Sequence, residues 1–150
     1  MAGAVVVHSK SVPPAEGYGA PMAALTETEM NELADRLLVA IGNADEPALR
    51  EVYATDARIW HNFDEKDQTV DENLLTLHDL HRRVANLAYT EIRRFLSPDG
   101  FVQQHVLTGQ ATAGAVRIPA MIRFTVDDGR IARLEEYLDT RQALVMYAKA

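Results

Sequence analysis

The chain has 150 residues, no cysteine, and 15 basic against 22 acidic side chains, for a net charge of -7. That length supports one domain burying about 70% of the surface its unfolded form exposes, and disulfides, thiolate metal sites and a thiol nucleophile are all excluded. The acidic balance repels a phosphate backbone, and the longest apolar run is too short for a bilayer, so neither nucleic acid nor membrane is an expected partner.

Residues 1–25 are broken by Pro13, Pro14, Gly17, Gly19 and Pro21, which predicts a flexible tail ahead of one domain over residues 26–150. The Val5 to Val7 run lacks the positive start and length of a secretion signal, and a cytoplasmic protein is expected. Thr26 and Glu29 have capping-box spacing, and Leu33, Leu37, Ala40 and Ile41 recur at helical intervals after them. A helix of about 16 residues ending near Gly42-Asn43 follows from that pattern. Asp45-Glu46-Pro47 opens a shorter helix with Leu49, Val52 and Tyr53 inside.

From Ala57 the period becomes two, with Ile59, His61 and Phe63 on one face and Arg58, Trp60 and Asn62 on the other. The polar run 64–68 is expected to be a loop. Thr69 and Glu72 form a second capping box, opening a long helix with the stripe Leu74, Leu77, His81, Val84 and Ala88. Four strands follow over residues 90–96, 101–108, 116–126 and 130–138, separated by turn-forming stretches such as Asp127-Asp128-Gly129. Asp139 and Gln142 then have the spacing of a cap for a short last helix through Tyr147. Helices and strands are segregated, so the expected class is α+β: a strongly curved antiparallel sheet, packed on helices as a cone with an interior.

Several side chains in this pattern carry chemistry. His61 has an imidazole suited to a general base at neutral pH, or to a structural hydrogen bond at a strand end. Glu136 alternates with Leu134 and Leu138, so an inward face buries its carboxylate and raises its pKa, with Arg123 on the adjacent strand as the expected partner. His105 and Gln103 share a strand whose inward face periodicity does not settle. His81 stands in an apolar stripe, as a core histidine or part of a cavity wall. Tyr53 offers a hydroxyl to the interior or seals the core, and Asp139 is a helix cap or an acid. Arg82-Arg83 and Arg93-Arg94 are expected on solvated faces. His78 and His81 make an i, i+3 pair without a carboxylate at ligand spacing, so no metal is expected, and no nucleotide or haem motif implies a cofactor.

The segments Leu49-Arg50-Glu51-Val52-Tyr53-Ala54-Thr55-Asp56-Ala57-Arg58-Ile59 and Asp128-Gly129-Arg130-Ile131-Ala132-Arg133-Leu134-Glu135-Glu136-Tyr137-Leu138-Asp139 resemble the nuclear-transport-factor-2-like superfamily. More narrowly, they resemble its SnoaL-like and ketosteroid-isomerase-like branch, over about residues 27–148. The resemblance implies a cystatin-like roll, a homodimer through the outer sheet face and a mostly apolar pocket for a small hydrophobic organic molecule. It places His61 where the isomerases carry their base, and Leu37 and Met121 where they carry oxyanion donors. It places Asp139 near the acid of the polyketide cyclases, with Arg123 or Thr125 where their partner histidine stands.

Three functions are therefore expected to compete. One is proton transfer or water addition on a carbonyl-bearing or epoxide substrate, with His61 as base and Glu136 or Asp139 as acid, the substrate lying against Leu37, Tyr53, His81, His105, Met121 and Arg123. The second is non-catalytic binding of a hydrophobic ligand, favoured by the lack of donors at Leu37 and Met121. The third is a dimeric scaffold with a filled interior.

Overall fold

The structure, a computed structural model, describes residues 24–149. The expected tail, residues 1–25, lies outside the described residues but for its last two. Helix α1 (Glu27–Gly42) begins on the capping box: the Glu29 amide donates to Thr26 Oγ1 at 3.2 Å, and the Thr26 amide donates to Glu29 Oε2 at 2.8 Å. Helix α2 (Glu46–Val52) runs straight into strand β1 (Tyr53–His61). A two-residue strand β2 (Asp67–Gln68) pairs with β1 where a loop was expected. Helix α3 (Val70–Arg83) then leads to the long strands β3 (Ala85–Ser97), β4 (Gly100–Ala111), β5 (Gly114–Asp127) and β6 (Arg130–Leu138). Helix α4 (Thr140–Ala143) and a 3₁₀ turn, Leu144–Met146, close the described chain.

Helix α3 stops one turn short of the expected Ala88. The Val84 amide bonds to the Leu80 carbonyl, and the next residue already pairs with Gln110 of β4. The hydrophobic stripe misleads here because Val84 is buried in either conformation. Its neighbour Gly109 permits the crossing, since a Cβ there would lie 2.4 Å from the Val84 side chain.

The six strands form one sheet in the order β2-β1-β6-β5-β4-β3. The β3 to β6 run is the antiparallel meander read from the turns. The sheet is mixed rather than wholly antiparallel, because β1 pairs with β6 in parallel. Strand β3 carries two register shifts, and each coincides with a left-handed residue: Asn86 at φ 53° and Glu91 at φ 54°. An inserted residue of this kind kinks a strand and sharpens its twist, which helps curl the sheet about α1 and α3.

Two apolar clusters fill the concave side. One joins Leu33 and Leu37 of α1 and Leu49 of α2 to Ile59, Ile131 and the Phe101–Phe124 pair, whose rings lie 4.4 Å apart. The other gathers Val84, Val116, Ile118 and Ala143 beneath α4. Among the described residues, no helix is long and apolar enough to cross a membrane.

Candidate active site

Strand register places a row of side chains across the concave face. His61 of β1 stands opposite Glu136 of β6, which stands opposite Ile122 of β5; Ile122 faces Gln103 of β4, which faces Arg94 of β3. All five share one face because alternation is common to paired strands. Arg94 reaches this face only through the Glu91 bulge: Tyr89 and Arg94 are five residues apart, yet pair with Leu107 and Gln103, which lie on the same side of β4.

Above the row is a cavity of about 130 Å³ lined by residues of both apolar clusters, including Leu37, Ile118, Ile122, Leu134 and Leu138. Its polar lining comes from His61, Glu136, Tyr53, Tyr89, Asn73 and Thr76. Asp79, Arg83 and Tyr147 also contribute, with Arg83 Nε 2.6 Å from Asp79 Oδ2 and its guanidinium 4.6 Å from the Tyr147 ring centre.

Glu136 is the chemical centre. Its Oε2 lies 3.4 Å from His61 Nε2 and its Oε1 lies 3.8 Å from His105 Nε2, while its side chain is 17% exposed. Among the described residues, no guanidinium or ammonium is paired with it. Burial therefore dominates, and the carboxyl is pushed up to about 7. The same burial pulls both imidazoles down: His61 falls below its ordinary value despite the charge of Asp64, and His105 falls to about 4. Both rings are thus neutral at pH 7. The Tyr53 and Tyr89 hydroxyls are pushed up, first by burial and then by the Glu136 charge, so they remain protonated donors.

Among the described residues, His61 Nδ1 is buried without a hydrogen-bond partner. An orphaned N–H is the rarer and costlier defect, which argues for the proton on Nε2, toward Glu136. Phe63 stacks on the same ring at 5.1 Å.

Of the residues expected from the sequence, His61, Glu136, Tyr53 and Leu37 line the cavity. His105 is 3% exposed and faces inward, with Glu136 between it and His61. The other four lie elsewhere. Met121 is 42% exposed on the outer face opposite Tyr137, and Ala120 and Ile122 take the inward positions. Arg123 is also outward, paired with Asp99 at 2.5 Å and Glu135 at 3.0 Å; the expected partnership with Glu136 fails because Ile122, not Arg123, stands opposite it. Asp139 caps α4 by accepting from the Arg141 and Gln142 amides, each at 3.0 Å, and the Gln142 side chain foremost holds its carboxyl below the usual range. His81 Nε2 meets the Ile41 carbonyl at 2.5 Å, tying α3 to the end of α1 rather than facing the cavity.

Tyr89, Asn73 and Thr76 were not anticipated. Tyr89 stood at the border of an overlong helix. Asn73 and Thr76 flank the recognised Leu74, and their link to the wall through Gln68 depends on β2: Asn73 Nδ2 donates to Gln68 Oε1 at 3.1 Å, and Gln68 Nε2 donates to Thr76 Oγ1 at 3.0 Å.

No family model and no curated protein sequence matches the chain. Solved structures do. A candidate SnoaL-like polyketide cyclase of Jannaschia sp. CCS1 superimposes with a TM-score of 0.71 at 17% identity, covering 89% of this chain and 100% of that one. A protein of Catenulispora acidiphila DSM 44928 with a ketosteroid isomerase-like fold, in complex with trimethylamine, gives 0.69 at 13% identity, covering 79% and 94%. An NTF2-like protein of Burkholderia xenovorans LB400 gives 0.66 at 17% identity, covering 78% and 94%. With identities this low, what is shared is the architecture: the chain has the same α+β cone fold as these NTF2-like and ketosteroid isomerase-like structures.

Proposed function

We propose that the protein is a cofactor-independent enzyme that moves a proton on a small, largely apolar carbonyl compound. Glu136 is the general base and returning acid. The observation that carries this reading is the Glu136 carboxyl lodged between two neutral imidazoles at 3.4 and 3.8 Å, with a pKa about 7. A base with a pKa near the working pH combines a populated reactive form with driving force for proton transfer. His61 turns its Nε2 toward the carboxylate at 3.4 Å rather than serving as the base itself. Its Nε2 faces Glu136 and its Nδ1 is sealed in protein, so neither nitrogen is free to take a substrate proton.

In this mechanism the carboxylate removes a proton from the carbon beside the carbonyl, and negative charge moves to the carbonyl oxygen. A Tyr53 or Tyr89 hydroxyl donates to that oxygen. The carboxylic acid then returns its proton. The missing donors at Leu37 and Met121 are thus replaced by tyrosines from β1 and β3.

A cavity of about 130 Å³ suits a guest of one ring, since about 150 Å³ admits benzene. The trimethylamine held by the Catenulispora acidiphila protein is a guest of comparable smallness. An open interior also weighs against the filled scaffold. The test is deuterium uptake from D2O beside the carbonyl of small cyclic ketones and enones, followed by NMR. Wild-type protein should accelerate uptake and Glu136→Gln should lose the acceleration by roughly 10²–10⁴-fold while still binding the ketone. Binding without accelerated uptake in the wild type would leave the protein a ligand carrier.

The reading includes a homodimer through the outer sheet face, supported by the exposed Met121, Tyr137 and Phe95 there. Sedimentation should give twice the chain mass for wild type and a smaller species for Tyr137→Glu; a wild-type monomer removes the dimer.

A further inference from the structure

The concave row continues past the cavity into a polar line that proton transfer at Glu136 does not by itself require. Asp35 and Asn31 of α1 hold Arg94: Nη2 donates to Asp35 Oδ1 at 2.7 Å and Nη1 to Asn31 Oδ1 at 3.0 Å. Arg94 Nε donates to Gln103 Oε1 at 2.9 Å, and Gln103 Nε2 lies 3.2 Å from His105 Nδ1. Gln103 is wholly buried, so its amide cannot turn to water for another partner.

These contacts have only one consistent assignment of protons. A guanidinium donates and never accepts, so the Gln103 oxygen must face Arg94. The Gln103 NH2 must then face His105 and donate. His105 Nδ1 accepts that bond, so the neutral ring carries its proton on Nε2, the atom that faces Glu136 Oε1.

We propose that Arg94 and Gln103 are positioning residues that lock His105 as the Nε2–H tautomer, so that it presents a donor to Glu136 and cannot compete with it as a base. Protonating Nδ1 would set it against the Gln103 NH2, and relieving that clash means turning the amide and breaking its bond to Arg94. Among the described residues, the other groups facing the ring do not offer Nδ1 an alternative acceptor in this arrangement: Tyr89 of β3 lies edge-on at 5.1 Å, and Glu136 and His61 lie on the Nε2 side. The consequence for catalysis rests on Glu136 being the proton carrier; the tautomer itself does not.

The test is ¹⁵N NMR of the histidine-labelled full chain at pH 7. Wild type should show a pyridine-like Nδ1 and a pyrrole-like Nε2 for His105. Gln103→Glu keeps the tie to Arg94 but turns the NH2 into an acceptor, so the signature should swap to Nδ1–H and the His105 titration should move up by about one pH unit or more. Arg94→Met frees the amide and should give a mixture of tautomers. A wild-type ring protonated on Nδ1 overturns the proposal, as does a folded Gln103→Glu protein with the wild-type signature. If Gln103→Glu does not fold, the wild-type and Arg94→Met spectra decide. Because these spectra need no turnover, they separate from the deuterium test: a correct tautomer without accelerated exchange overturns Glu136 as carrier, not the lock.

Discussion

Glu135 and Glu136 are adjacent in β6 and face opposite sides of the sheet. Glu135, on the convex side, lies between two guanidiniums, with Arg123 Nη1 at 3.0 Å and Arg133 Nε at 3.2 Å. Glu136, on the concave side, has two neutral rings and hydrocarbon around it. One residue of strand pleat separates a carboxylate that knits the surface from one whose burial pushes its carboxyl up to about 7. Both residues are glutamates; what sets Glu136 apart is its burial, which raises its carboxyl.

Exchanging each acid for its amide is the strongest way to break that contrast. Glu136→Gln should remove accelerated deuterium uptake, whereas Glu135→Gln should leave uptake unchanged and alter stability by less than about 1 kcal/mol, measured by urea denaturation. Equal losses of uptake would mean that the pleat does not separate the two roles.

The next effect is on stability against pH. Because the folded pKa of Glu136 is raised from 4.5 to about 7, the native state alone holds its proton between those values, so this group's contribution falls as pH rises through that window. His105, lowered from 6.5 to about 4, acts with the opposite sign: its contribution is lost as pH falls through that range, and His61 follows in the same direction. The opposing slopes partly cancel below pH 6.5. Glu136→Gln should therefore gain on wild type by about 3 kcal/mol between pH 4.5 and 7. A constant difference across that range would show that Glu136 titrates normally.

Filling the cavity sharpens the comparison from the other side. Ala120→Leu adds three carbons beside the row and should weaken binding of small ketones about tenfold or more by calorimetry, at a stability cost of about 1–3 kcal/mol if the wall must shift. The smallest effect belongs to Asp139→Ala, which should cost about 1 kcal/mol in cap stability and leave deuterium uptake unchanged. A loss of uptake in that variant would return Asp139 to the chemistry.

Much of this was legible locally. Thr26-x-x-Glu29 and Thr69-x-x-Glu72 announced two helix starts, and both capping boxes form. The alternation Leu134, Glu136, Leu138 turned the key carboxylate inward, and a shift upward followed from burial alone. What failed was neighbour identity. Met121 and Arg123 were placed inside, but β4 and β6 hold β5 in the register that turns Ala120 and Ile122 inward instead.

Periodicity and capping chemistry act over a few residues, so the chain itself determines which side chains share a face of each strand or helix. Which strands meet, and at what offset, depends on contacts many residues apart. The parallel pairing that sets His61 opposite Glu136 arises there, as does the Glu91 bulge that turns Arg94 toward Gln103. The acid was written in one strand; its environment was assembled from four others.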